Sequence, residues 1–206
     1  MATLLLIFSC HQYAEKRALQ KRTWLPRVSV PYLHVVGELS QTEPWRLDKD
    51  AALLSVRVAD DYVSLPQKVV AAFEAVLGLF PEVQYVFKTD DDQCLDEVTF
   101  LHLLASRLPR QDAIHYGGQM LSVEPHFSQY HLVHPELSPT LFLERTTYAT
   151  GRFYFLSRAA LAALVEQKAL FAAEQLEDYA VGYLLPGQFK RRAMSLPSQK
   201  YFVDQR

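Results

Sequence analysis

Three consecutive carboxylates, Asp90-Asp91-Asp92, stand at the end of the apolar stretch Gln84 to Lys88. Adjacent like charges repel and cost stability unless a cation or a set of donors offsets them. A divalent metal does so naturally, because hard cations take oxygen ligands and nucleotide phosphates can complete the shell. In an extended turn alternate residues point the same way, so Asp90 and Asp92 form a D-x-D pair suited to that task. One Asp here would be an ordinary turn residue or helix cap; three in succession point to metal binding. The two cysteines, Cys10 and Cys94, form no C-x-x-C pair and so offer no zinc site of that type. Each follows an expected strand, and both are expected to stay reduced, with the fold independent of them.

Such a triplet needs elements that hold it in place. Thr3 to Ser9 is a continuous apolar run ending at small polar residues, the pattern of a strand buried on both faces. His11 to Thr23, rich in Ala, Glu, Lys, Arg, Gln and Leu, predicts a helix stopped by Pro26. Tyr32 to Val36 and Ala51 to Val56 read as strands joined by a polar connection that carries Trp45 and Asp48. Ser64 is placed as the cap of a helix with Pro66 in its first turn, and Val69, Val70, Phe73, Val76, Leu77 and Phe80 share one face of it. Strand Gln84 to Lys88 runs into the triplet, Asp96 opens a helix through Arg107, and Ala113 to Tyr116 is a short strand ending in Gly117-Gly118. The stretch from Ser122 to Arg145 holds three of the eleven prolines and three of the seven histidines without any period. It is expected to be an ordered irregular segment or hairpin over a site. Strand Phe153 to Leu156, helix Ser157 to Gln167 and a helix from about Leu176 to Leu184 complete the reading. Strands alternating with helices imply an α/β layered domain with a mainly parallel sheet, and such sheets bind ligands beyond the carboxyl ends of their strands. The triplet sits at such an end.

The chain has 206 residues, 50% of them hydrophobic and 21% charged, a globular composition whose length predicts one domain. With 21 basic and 23 acidic residues the net charge is −2, which supplies no broad positive field for nucleic acid or an anionic membrane. A polyanionic ligand must be held by a local site. The apolar run Leu4 to Phe8 is far shorter than the roughly 20 residues of a membrane span and has no basic region before it, so the chain reads as soluble and unanchored.

Further motifs resemble those of one family. Arg17-Ala18-Leu19-Gln20-Lys21-Arg22-Thr23-Trp24 resembles the R-x-x-x-R-x-T-W signature of the beta-1,3-galactosyltransferase-like family, relatives of Fringe. Tyr62-Val63-Ser64-Leu65-Pro66-Gln67-Lys68 is similar to its Y-x-N-L-T-x-K, and Lys88-Thr89-Asp90-Asp91-Asp92 to its K-x-D-D-D. Tyr148-Ala149-Thr150-Gly151 with Tyr154-Phe155-Leu156-Ser157 is similar to Y-C-S-G-x-G-Y-V-L-S, and Glu177-Asp178-Tyr179-Ala180-Val181-Gly182 to E-D-V-x-x-G. Each motif is weak alone, but the five occur in the family's order over about residues 3 to 185. The resemblance implies a GT-A fold, Rossmann-like, as a single catalytic domain with a nucleotide-binding part over about 1–95 and an acceptor part over about 96–206. It implies an inverting, metal-dependent transferase that moves a hexose of the galactose or N-acetylhexosamine type from a UDP-sugar to a hydroxyl of a glycan acceptor, on a glycoprotein or glycolipid, in beta-1,3 linkage. Carried over by position, Asp92 becomes the direct Mn2+ ligand, while Asp90 and Asp91 contact the nucleotide ribose or the metal through water. Asp178 becomes the general base, Arg17 and Lys68 lie at the nucleotide end, and Gly151, Tyr148 and Glu177 belong to the substrate wall. Relatives are usually Golgi membrane proteins, whereas this chain begins at the first strand.

The chemistry asks for these parts. Inverting displacement needs a base on the acceptor side and a cation that neutralises the departing diphosphate, roles that suit Asp178 and Asp92. A neighbouring Glu177 and partial burial would raise the Asp178 pKa toward the operating pH. Read locally, Glu177-Asp178 is also a favourable acidic pair for a first helical turn. Arg17 reads equally as a solvated helix charge or a bidentate diphosphate ligand. Lys68 is a cation in a first helical turn, where the macrodipole disfavours it, which hints at function. Trp24 reads as packing at the end of the first helix, and Lys190-Arg191-Arg192 as solvated surface.

Departures from the family pattern are specific. Ala149 replaces the cysteine of Y-C-S-G, Phe153 its second glycine, and Tyr179 the valine of E-D-V. Many relatives place a metal-binding histidine after E-D, yet the last histidine here is His134. This leaves either a shell of Asp92, phosphates and water, or a dispensable metal. Two other readings stay open beside the transferase: a carbohydrate- or nucleotide-binding pseudoenzyme on the same scaffold, and a metal-dependent phosphohydrolase.

Overall fold

A computed structural model describes residues 2–110 and 114–204. Its centre is an eight-stranded sheet. The chain enters it with β1 (Thr3–Phe8) and crosses through α1 (Ala14–Arg22) to β2 (Tyr32–Gly37). A hairpin of β3 (Trp45–Asp48) and β4 (Leu53–Val56) follows, then α2 (Leu65–Leu79) and β5 (Tyr85–Asp90). The short β6 (Gln93–Leu95), α3 (Thr99–Arg107), β7 (Tyr116–Val123) and the two-residue strands β8 (His126–Phe127) and β9 (Phe142–Leu143) come next. The long β10 (Thr146–Ser157) then leads to α4 (Arg158–Val165), α5 (Lys168–Ala173), α6 (Glu177–Leu184), α7 (Gly187–Lys190), β11 (Met194–Ser195) and β12 (Phe202–Asp204).

The strand order in the main sheet is β11-β7-β10-β5-β1-β2-β4-β3. Strands β5, β1, β2 and β4 run parallel, β10 is antiparallel to both β5 and β7, and β3 is antiparallel to β4. The sheet is thus mixed and mostly parallel, as the alternation of strands and helices implied. Helices cover both faces because parallel connections must cross over them.

Period-two alternation divides the core into two layers. Leu4, Leu6 and Phe8 of β1, Val86 of β5 and Tyr154 and Leu156 of β10 pack with Val69, Phe73 and Val76 of α2 and with α4, α5 and α6 on one face. Leu5, Ile7, Phe87, Phe153 and Phe155 point to the other face, against Trp24, Leu25, Leu101, Leu104 and Phe202. Trp24 is fully buried there, a packing residue as expected.

Several boundaries differ from the sequence reading. The polar connection with Trp45 contains the edge strand β3, which exists because it pairs with β4. Residues 93–95, read as leading into a helix, form β6 because β12 pairs with them, so α3 starts at Thr99 rather than Asp96. Cys94 accordingly lies within a strand, and it and Cys10 are free thiols. Ser64 gives α2 its carbonyl, accepting from the Lys68 backbone N–H at 2.9 Å, and makes no side-chain cap. Gly117 and Gly118 lie inside β7, not at its end, and the expected strand start at Ala113 falls outside the described residues. The segment 122–145 is a small β8/β9 hairpin with a turn of 3-10 helix at Tyr130–Leu132, in line with the expected hairpin. Among the described residues no helix is long and apolar enough to cross a membrane.

Candidate active site

The carboxyl ends of β1 and β5 lie side by side, with Phe8 opposite Asp90 in the parallel register. This brings the acidic turn against Phe8 and Ser9, and the three carboxylates then part company. Asp91 turns inward, 5% exposed, and its Oδ2 accepts from Ser9 Oγ at 2.6 Å while Lys16 stands 3.7 Å from Oδ1. Burial raises its pKa, and the Ser9 hydroxyl and Lys16 oppose that rise. Asp90 lies on the same face of β5 as Lys88 and meets its ammonium at 2.9 Å. Asp92 is exposed, with one oxygen taking a 2.9 Å bond from Gln93 Nε2.

Two basic residues close the end of β1. Arg17 Nη1 donates to Ser9 Oγ at 3.0 Å and to the Cys10 carbonyl. Lys68 is buried, and its ammonium donates to the Ser9 carbonyl at 2.9 Å and to Asp60 Oδ1 at 2.6 Å. That explains a cation in a first helical turn: Lys68 ties α2 to β1. Sequence reasoning missed Asp60, which also accepts from the backbone N–H of Gly37 at 2.6 Å and of His11 at 2.5 Å. Burial works to raise its pKa, but the Lys68 bond and the two N–H donors together hold it below the ordinary value. The only signal in the sequence was its place just ahead of Tyr62 and Lys68.

The other wall is built by β10 and α6. Ala149 and Tyr154 pair with Met120 and Gly118 of β7, and the register shifts between them. Such an irregularity re-aims the backbone of the bulged strand. Here it turns both polar groups of Gly151 toward the cleft: its N–H donates to Asp178 Oδ2 at 2.8 Å and its carbonyl accepts from Lys88 Nζ at 2.7 Å. A Cβ on Gly151 would stand 3.1 Å from Glu177 Oε1 and 3.4 Å from both Asp178 Oδ2 and Lys88 Nζ. Asp178 Oδ1 accepts from the Tyr179 N–H at 2.8 Å, so both oxygens are oriented by main chain. Glu177, expected in the substrate wall, is instead turned inward at 5% exposure. It accepts from Lys88 at 2.6 Å and from the Tyr154 hydroxyl at 3.0 Å.

Lys88 is therefore the hub, 1% exposed and bonded to Asp90, Glu177 and Gly151 at once. Two carboxylates share one ammonium, so neither is fully compensated. Burial pushes Asp90 up to about 7, Lys88 works against that, and Glu177 and Asp92 add to it. Burial likewise raises Glu177, against the pull of Lys88. Asp178 is also raised, by burial first, with the Asp90 charge adding to it and Lys88 and the two N–H donors opposing.

Aromatic side chains cover the outer side. Tyr62 stacks on His134 with centroids 4.0 Å apart and planes 4° from parallel. Burial and then the Asp178 charge push the Tyr62 phenol up to about 12, and the same two causes raise Tyr130 and Tyr148. Tyr130 of the hairpin segment is thus near enough to Asp178 to feel its charge. Phe153, which replaces a glycine of the family motif, is fully buried on the opposite face, stacked on Phe202 at 4.9 Å, and does not fill the cleft.

Among the described residues no three His, Cys, Asp or Glu side chains gather as a metal cluster. Asp91 and Asp90 are engaged by Ser9 and Lys88, and Asp92 is exposed at the surface with Gln93 on one of its oxygens. One exposed carboxylate fits a divalent cation whose remaining ligands are phosphate oxygens and water.

A model of the Galactosyltransferase family matches residues 15–188. A search of curated proteins by sequence finds no match. Among solved structures, the chain is similar to a glycosyltransferase involved in glycosylation of the major capsid of PBCV-1. The identity is 12% and the TM-score 0.52, over 94% of this chain and 81% of that one. It is also similar to the apo structure of the bifunctional glycosyltransferase WbbM, at 10% identity and a TM-score of 0.50, over 96% of this chain and 39% of that one. At such identities the likeness is one of fold.

Proposed function

Because the chain belongs to the Galactosyltransferase family, we propose that it is an inverting transferase that moves a hexose, galactose or N-acetylhexosamine in type, from a UDP-sugar to a glycan hydroxyl in beta-1,3 linkage. The observation that supports this reading is the bridge at Lys88. One ammonium bonds Asp90, in the acidic turn, and Glu177, the neighbour of Asp178, so the two acidic motifs face a single cleft.

In this reading the acceptor hydroxyl loses its proton to Asp178 as its oxygen attacks the anomeric carbon. The N–H groups of Gly151 and Tyr179 each occupy one direction on the Asp178 oxygens and aim the remaining lone pairs. The raised pKa makes the carboxylate a stronger base than an exposed Asp. Tyr130, 48% exposed, and the stacked pair of Tyr62 and His134 give the acceptor sugar apolar surface to pack on, with Tyr148 buried behind them. On the donor side, Arg17 braces the end of β1 and Asp91 against which the nucleotide is placed, and Lys68 holds that end from behind. Mn2+, when bound, neutralises the leaving diphosphate; Asp92 would hold it, with Asp90 nearby. The nucleotide part then corresponds to about residues 1–95 and the acceptor part to about 96–206.

The test is a panel of UDP-sugars incubated with the protein and Mn2+ without acceptor, with UDP release measured. Release from one donor, abolished by chelation, supports the transferase. UDP binding with no release from any donor would replace it by the pseudoenzyme reading.

A further inference from the structure

Gln20 lies in a helix of Glu, Lys, Arg and Gln residues, where patterning assigns it to solvent, yet it is 0% exposed. Its amide reaches the backbone at both ends of the acidic turn. Nε2 donates to the Gln93 carbonyl at 2.8 Å and to the Asp90 carbonyl at 3.2 Å, the two residues that bracket Asp91 and Asp92. Its Oε1 meets Nε2 of His34, itself 0% exposed, at 2.9 Å.

These contacts fix one arrangement. A flipped amide would set Oε1 against two carbonyls, so Nε2 must face the turn and Oε1 must face His34. His34 then carries its proton on Nε2. Its other nitrogen has no partner among the described residues, as suits a neutral ring. Burial, with Lys21 and Arg17 nearby, lowers the His34 pKa to about 3, which keeps the ring uncharged. His34 is anchored in turn, since its backbone N–H donates to the Ala52 carbonyl at 2.9 Å within β2 and its surroundings. A rigid line runs from the sheet through His34 and Gln20 to the turn.

We infer that Gln20 and His34 are positioning residues that set the backbone of the Asp90–Gln93 turn, and through it the aim of Asp92, for donor binding. The donor-binding part rests on the transferase reading; the control of the turn does not. The experiment compares full-length wild type with Gln20→Met, His34→Phe and His34→Gln. Its readouts are amide hydrogen exchange across residues 89–95 and calorimetric binding of UDP in the presence of Mn2+. Gln20→Met and His34→Phe are expected to unfold cooperatively, to exchange about tenfold faster in residues 89–95 alone, and to bind UDP about tenfold more weakly, as loss of one or two net hydrogen bonds implies. His34→Gln restores a donor at the same reach and is expected to return both readouts to within about twofold of wild type. Unchanged exchange and unchanged affinity in Gln20→Met overturn the inference. If Gln20→Met does not fold, the His34→Phe and His34→Gln pair decides by the same criteria. If wild type itself binds no UDP with Mn2+, the transferase reading fails, and the exchange comparison alone still upholds or rejects control of the turn.

Discussion

Lys88 holds together charges that would otherwise disrupt the cleft. Removing its ammonium leaves Glu177 and Asp90 without a cation in a largely buried site. Breaking a buried pair from one side costs about 3–5 kcal/mol, so Lys88→Met is expected to lose about that much stability in urea titrations. Titration follows the same residues. Asp90 has a folded pKa of about 7 against an ordinary 3.8, so the folded protein binds that proton more tightly than the unfolded chain. The stability Asp90 contributes is therefore greatest below the ordinary value and is lost as pH rises toward 7. Asp90→Asn is expected to flatten the decline of urea stability between those limits. Asp178→Asn removes the proposed base and is expected to lower turnover by about 10²–10⁴-fold while UDP affinity is retained. In wild type the acidic limb of the pH-rate profile is expected above the ordinary carboxylate range, because burial raises Asp178. The triplet was legible as chemistry from its composition alone. Its division among Lys88, Ser9 and solvent was not, because it depends on pairs distant along the chain, Ser9 with Asp91 across 82 residues and Lys88 with Glu177 across 89.

At the scale of elements, the cleft depends on how closely α6 lies on β10. Gly182 sits where the two cross. A Cβ there would come within 2.6 Å of Tyr148 Cα and 2.8 Å of the Thr147 carbonyl, backbone atoms that cannot step aside. The glycine that closes the Glu177-Asp178 motif thus has a plain reason: only hydrogen fits. Gly182→Ala must push α6 outward and move Asp178 with it. It is expected to cost about 1–3 kcal/mol or more from overpacking, seen as a lower melting temperature, and to lower the turnover number more than donor affinity. Central strands such as β1 and β5 were readable because burial on both faces leaves continuous apolar runs. The full length of β10 was hidden, since Gly151 and Arg152 interrupt its apolar pattern where the strand bulges. Short strands β3, β6, β11 and β12 were missed because tertiary pairing, not local propensity, makes them strands.

Across the whole molecule, residues distant in sequence close the acidic turn. Strand β12 pairs antiparallel with β6, joining Phe202 to Leu95 and Asp204 to Gln93. Arg152 of β10 clasps the same strand, bonding the Phe202 carbonyl at 2.9 Å and Asp204 at 2.8 Å. Asp204 also accepts from Gln93 Nε2 at 3.2 Å, the amide that holds Asp92. The Phe202 ring is fully buried between Phe153 and Phe100. Phe202→Ala is expected to cost about 3–5 kcal/mol in denaturant titrations, as large core truncations do, and to weaken UDP binding through the loosened turn.

That pairing also sets an order of events during synthesis. The parallel strands from β1 to β5 emerge first and can associate early, with every carboxylate of the triplet already made. The turn that presents them cannot lock until residues 202–204 leave the ribosome, because its closing partner is β12. Contacts of such long sequence separation form late, after most of the loop-closure entropy has been met by the rest of the sheet. A chain synthesised only as far as β10 therefore carries the acidic triplet without the strand that pairs with β6.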